Sequence, residues 1–152
     1  MAKKAQNICF PIPEFKIKKE GEKAVIWDDV SKIYRNLTPE EWVRQIIISF
    51  FIKELNYSKN LIQIERGFKL NDQLKRTDIC IFNRSGKVEI MIECKSPEVK
   101  LEMKTWNQIS HYQSYHKEAN YLMISNGIDF ELYDIKNQNI IKNDLNKIPK
   151  NI

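Results

Sequence analysis

The sequence is poor in the residues that carry several common chemistries, with two histidines, three cysteines and four glycines in 152 residues. Cys9, Cys80 and Cys94 show no C-x-x-C spacing and two of them fall inside apolar runs, which predicts buried, reduced thiols and a cytoplasmic protein. His111 and His116 form no zinc pattern with any cysteine. None of the glycines stands in a G-x-x-x-x-G-K-[ST] arrangement, so these residues hold no phosphate loop and no nucleotide-driven motor. No run of about 18 apolar residues is present, which excludes a hydrophobic membrane-spanning helix. The basic start, Met1 to Asn7, is followed by Pro11 and Pro13 rather than by the apolar stretch of a signal peptide.

What is present suits one globular domain with one core. Hydrophobic residues make up 42% and charged residues 30%, too apolar a balance for wholesale disorder. The net charge of +5 fits a polyanionic partner, although a lysine-rich surface is also compatible with simple solvation.

Along the chain, residues 1–36 read as an extended arm packed on the core, with a hairpin or irregular course and a short helical turn over Asp28 to Tyr34. A core domain over 37–136 opens with a capping box. Thr38 stands at the N-cap, Pro39 at the first helical position and Glu41 at the third, and the stripe Trp42, Val43, Ile46, Ile47, Phe50 and Phe51 predicts a largely buried helix to about Leu55. Strands are expected at 61–70 with a bend at Gly67, at 76–82, at 88–95 and at 121–125. A further strand within 128–135 follows the Asn126-Gly127 turn, and a second helix is expected over 100–117. Residues 137–152 read as a polar tail in which Ile140, Ile141, Leu145 and Ile148 dock weakly.

Chemistry concentrates on the strand Val88 to Lys95. Alternation puts Val88, Ile90, Ile92 and Cys94 on a core face and Glu89, Met91, Glu93 and Lys95 on the other. The sequence contains four E-x-K tripeptides, but only Glu93 with Lys95 lies in an apolar strand, where an unpaired charge is costly. An antiparallel hairpin with 76–82 brings Asp78 beside Glu93 and Lys95. Two carboxylates and a lysine make a hard-oxygen site suited to magnesium. The plainer alternatives are a cross-strand salt bridge for Glu93 and Lys95 and a turn-capping role for Asp78.

Asp78, Glu93-Cys94-Lys95 and Gln108-Ile109-Ser110-His111-Tyr112 resemble the D…E-x-K…Q-x-x-x-Y signature of the PD-(D/E)xK nuclease superfamily. More narrowly, they resemble the N-terminal nuclease domain of type I restriction enzyme restriction subunits. The segments 37–45, 75–79, 92–97 and 124–127 agree with that resemblance, which spans about Val25 to Ile135. It implies an α/β, restriction-endonuclease-like αβββαβ core with a mixed central sheet flanked by helices. It also implies magnesium-dependent (or manganese-dependent) cleavage of DNA phosphodiesters, with Asp78 and Glu93 as metal ligands and Lys95 as catalytic lysine. A first-helix glutamate faces the metal in related nucleases; Glu41 is the first candidate, its capping role being an equal explanation, and Glu40 is the second. Gln108 and Tyr112 approach the DNA backbone, orient the site or simply pack on the sheet. Lys75 and Arg76, with Lys69, Lys100 and Lys104, are candidates for holding phosphates. The expected partners are DNA and the subunits of a restriction or defence complex, with no membrane. The alternative function is a catalytically silent DNA-binding or partner-binding module of such a complex.

Overall fold

A computed structural model describes residues 7–70, 72–102 and 119–151. Three short strands, β1 (Ile17–Glu20), β2 (Lys23–Asp28) and β3 (Ile33–Asn36), form a small antiparallel sheet in sequence order. A helix, α1 (Pro39–Lys53), precedes six further strands: β4 (Ile62–Leu70), β5 (Gln73–Phe82), β6 (Val88–Cys94), β7 (Tyr121–Ser125), β8 (Phe130–Asp134) and β9 (Asn139–Lys142). These six build one sheet whose spatial order equals their chain order. Every pairing in it is antiparallel except β6 with β7. The parallel step needs a crossover, and most of that connection, 103–118, lies outside the described residues. The expected helix over 100–117 falls largely there; residues 100–102 carry no regular structure.

The central strand β6 is buried on both faces. Ile90, Ile92 and Cys94 join Val43, Ile46, Ile47 and Phe51 of α1 in the main core, while Val88 and Met91 join Cys80, Leu122 and Ile124 in a second cluster on the other face. Strict alternation would put Val88 with Ile90, but a register shift between Ile81 and Phe82 of β5 pairs Phe82 with Val88 and turns that end of the strand over. Thr38 accepts a hydrogen bond from the Glu41 amide at 3.1 Å, which satisfies one of the orphan donors at the start of α1.

Three parts of the chain depart from expectation. The N-terminal arm is a three-stranded sheet of its own. The turn expected to be helical is instead closed by Asp28, whose carboxylate accepts the Val30 and Ser31 amides at 3.0 and 3.1 Å, an Asx-type turn that competes with helix. The bend assigned to Gly67 sits at Glu65, the residue of β4 with positive φ (54°), and Glu65 and Asp78 drop out of an otherwise continuous β4–β5 ladder. The polar tail is built into the core: β9 extends the sheet, Ile148 is buried, and the Asn151 amide donates to the Leu55 carbonyl at 2.9 Å.

Gly127 marks how closely the arm approaches. Its φ of +86° is accessible to glycine, a Cβ there would meet a Val43 methyl at 3.2 Å, and its carbonyl accepts the Cys9 amide at 2.8 Å. Next to it Phe10 sits against Phe50 and Phe130, with ring centroids 5.2 and 5.6 Å away.

Ile92 is fully buried at the centre of the sheet, whereas Ile33 in β3 is 48% exposed. Ile92→Ala is therefore expected to lower unfolding free energy by about 2–5 kcal/mol and Ile33→Ala by about 0.5 kcal/mol or less, as read by urea denaturation.

Candidate active site

The site forms where β5 and β6 part. Their ladder stops at the pair Ile79 and Ile92, so the next residues in register are Asp78 and Glu93. The Cys94 amide, which points toward β5, then lacks a backbone acceptor and donates to Asp78 Oδ2 at 2.7 Å instead. One backbone bond thereby holds a carboxylate at the sheet end. Glu93 is brought against it by register, and Lys95, two residues on, turns its Nζ to Glu93 Oε1 at 3.4 Å. The Lys95 amide continues the sheet by donating to Ser125 of β7 at 2.8 Å, so the ammonium is carried by backbone that is still fixed.

Burial dominates the electrostatics of this pair. The Glu93 carboxyl is pushed up to about 8, first by burial and next by the charge of Asp78, with Lys95 opposing. Asp78 is also raised by burial, a shift opposed by the Cys94 amide and by the positive charges of Arg44 and Lys95. Burial, then the charge on Asp78, raises Glu40 as well, with Lys95 and Arg44 opposing.

The two glutamates that open α1 have different surroundings. Glu41 is buried and engaged within its own helix: Arg44 Nε donates to Glu41 Oε1 at 3.3 Å, Arg44 Nη2 bonds Oε2, and Gln45 Nε2 donates to Oε1 at 2.9 Å. Its side chain makes no return bond to the Thr38 amide, which donates to the Asn36 carbonyl, so only half of the expected capping box forms. Glu40 is the helix carboxylate within electrostatic reach of Asp78 and Lys95.

Arg44 escaped the sequence reading, and its one signal there was a buried-stripe helix that also carries Glu41 and Arg44 at i,i+3 spacing. Its guanidinium also lies 3.6 Å from Glu65 of β4, and Glu65 in turn lies 3.5 Å from Arg35, which donates from Nε to the fully buried Asp28 at 2.6 Å. The chain of charges connects the small sheet, α1 and β4 behind the site.

Among the remaining sequence candidates, Arg76 is exposed in β5, Lys75 neighbours it in the same strand, and Lys100 is exposed. Gln108, Tyr112 and Lys104 lie outside the described residues. Among the described residues no three His, Cys, Asp or Glu side chains gather as a ready metal cluster.

Among the described residues, a mixed six-stranded sheet with a packed helix, and two carboxylates and a lysine where adjacent antiparallel strands end, define an α/β protein with an acidic sheet-end site. Residues 39–149 match the family described as Type I restriction enzyme R protein N terminus, and the chain belongs to that family. Its fold is similar to a fragment structure of a putative HsdR subunit of a type I restriction enzyme from Vibrio vulnificus YJ016, with a TM-score of 0.57 and 16% identity. The likeness covers 75% of this chain and 24% of that one, so the chain spans about a quarter of the relative's length. No curated protein matches the sequence. Among the described residues no helix is long and apolar enough to cross a membrane.

Two outcomes follow from the charges. Folded Glu93 holds its proton up to about 8 against an ordinary 4.5, so the folded state binds more protons across that window and loses stability as pH rises through it. In metal-free buffer the melting temperature is expected to fall across that interval, and Glu93→Gln to flatten the fall. Arg44 and Glu41 are 10% and 6% exposed, so Arg44→Met, which strands a buried carboxylate, is expected to cost about 3–5 kcal/mol in urea unfolding. Pairing it with Glu41→Met should recover much of that loss.

Proposed function

We propose that the chain is a metal-dependent DNA endonuclease domain of the PD-(D/E)xK kind, with Asp78, Glu93 and Lys95 as its working residues. The observation that carries this reading is the meeting of Asp78 and Glu93 at the end of two neighbouring strands, both raised by burial and Glu93 raised further by the charge of Asp78. A buried carboxylate pair of this kind is relieved by a cation. Two carboxylates, with waters and phosphate oxygens completing the shell, are what magnesium takes, and manganese accepts the same donors. Asp78 and Glu93 would hold the ion, while Glu40, at the start of α1, feels the charge of Asp78 and Lys95 from outside that pair.

A divalent ion in such a site supplies charge stabilisation for a phosphodiester under attack and acidifies a water. The chain's own groups divide the rest of the work. The Cys94 amide fixes Asp78, so that the carboxylate does not reorganise during the reaction. Lys95, carried on backbone bonded to β7, orients the attacking water or neutralises charge that develops on the phosphate. Glu41 is the structural partner of Arg44 and leaves the facing role to Glu40. Membership of the restriction-subunit family supports DNA as the substrate and a restriction complex as the setting.

Purified protein is expected to cut supercoiled DNA with magnesium or manganese and not with EDTA. Asp78→Ala and Lys95→Ala should each lower the rate by about 10²-fold or more while the circular dichroism spectrum is kept. Glu40→Gln should weaken manganese binding without a loss of folding stability, and Glu41→Gln should do the reverse. A wild-type protein inert with every metal that still binds DNA would sink the catalytic assignment in favour of a binding module.

A further inference from the structure

The hairpin of β4 and β5 outruns the sheet that carries it. β5 pairs with β6 only from Ile79 to Phe82, yet its ladder with β4 continues from Arg66–Thr77 to Leu70–Gln73. Five consecutive pairs therefore form a two-stranded ribbon beyond the sheet, ending at Leu70–Gln73, with Asp72 at φ 62° beyond the last pair. At about 3.3 Å per residue the ribbon reaches roughly 15 Å past Asp78.

We propose that this ribbon is the element that enters the major groove of duplex DNA and sets a phosphodiester against the sheet end. The proposal rests on the nuclease reading above for what happens at that end, but not for the binding itself. Three observations support it. Dimensions agree: a B-DNA major groove is about 12 Å wide and about 8.5 Å deep and admits a two-stranded ribbon, so this one is long enough to reach the groove floor. Charge agrees, because the ribbon carries Arg66, Lys69, Lys75 and Arg76 against a single acid, Asp72. The tip also presents an exposed apolar group: Leu74, at 66% exposure, is the most exposed large hydrophobic side chain among the described residues. Apolar side chains contact the thymine methyl, a feature of the major groove alone.

The base of the ribbon is anchored. Arg66 lies over the Phe82 ring, 5.0 Å from its centroid, and 3.7 Å from Cys80 Sγ, which ties β4 across β5. Arg66 thus braces the ribbon, while exposed Arg76 is placed for phosphate contact. A two-stranded ribbon is marginally stable alone in water. Here it begins at Thr77, next to Asp78, so any duplex that receives the tip has its backbone led toward the carboxylates.

The test uses fluorescence anisotropy with a short DNA duplex and one of its single strands, in EDTA so that nothing is cut. Wild type is compared with Arg76→Glu and with a shortened chain in which residues 69–74 are replaced by Asn-Gly. Manganese titration of each protein is run in parallel. The duplex is expected to bind at least about tenfold tighter than the single strand. Arg76→Glu should weaken it about tenfold and reduce the salt slope by about one, with manganese affinity unchanged. Guanine N7 methylation, which blocks the major groove, should weaken binding, and a minor-groove ligand should not compete. If both variants hold the duplex as wild type does, if the single strand competes equally, or if the minor-groove ligand displaces the protein, the proposal is overturned. Should the shortened chain fail to fold, Arg76→Glu decides alone. Ribbon-dependent duplex binding without manganese binding or cleavage removes the catalytic reading and leaves the ribbon. Cleavage that survives loss of the ribbon does the opposite.

Discussion

The hydrogen bond from the Cys94 amide to Asp78 holds the carboxylate on which the geometry of the site depends. It stands where a backbone ladder ends, so a side chain completes what the backbone leaves unpaired. The same bond spends one lone pair of the carboxylate, fixes its direction and sets its distance from Glu93. The cost is a pair of acids in surroundings that oppose charge, visible in the upward displacement of both. Structures retain such a cost where a cation or a proton resolves it.

A second constraint holds that end from behind. Arg44 brings a positive charge into the buried side of α1 and shares it between Glu41 and Glu65, while Arg35 joins Glu65 to buried Asp28. Asp28 and Glu41 are buried and costly to leave unpaired, so their arginines are held in place, and through half-exposed Glu65 the two guanidinium groups meet β4 near Asp78. Glu65 meets both guanidinium groups from a backbone with positive φ, the same residue at which the β4–β5 ladder is interrupted. The interruption falls opposite Asp78, which leaves the Asp78 side free to serve the sheet end.

Much of the fold could be read along the chain because its signals are local. Thr38-Pro39 and the apolar stripe located α1, the apolar runs located β5, β6 and β7, and Asn126-Gly127 located the turn into β8. Asp78, Glu93 and Lys95 were singled out because charge in apolar strands is conspicuous. Less legible were the elements stabilised at a distance. The first 36 residues form a sheet because Asp28 closes a turn and Arg35 returns to it, and β9 forms because β8 offers an edge.

The sequence alone determined which residue types stand in which strands, and with them the order of helix and strands and the identity of the acidic pair, since period and capping act over a few residues. Tertiary structure decided what each charge does. Glu40 and Glu41 are adjacent and chemically identical, yet Arg44 and Gln45 take up one and Asp78 influences the other, because helix phase relative to the sheet is set by packing. Packing likewise decided how far the β4–β5 hairpin runs beyond its neighbours, since strand length in a sheet depends on where the partner strand stops, and β6 stops at Cys94.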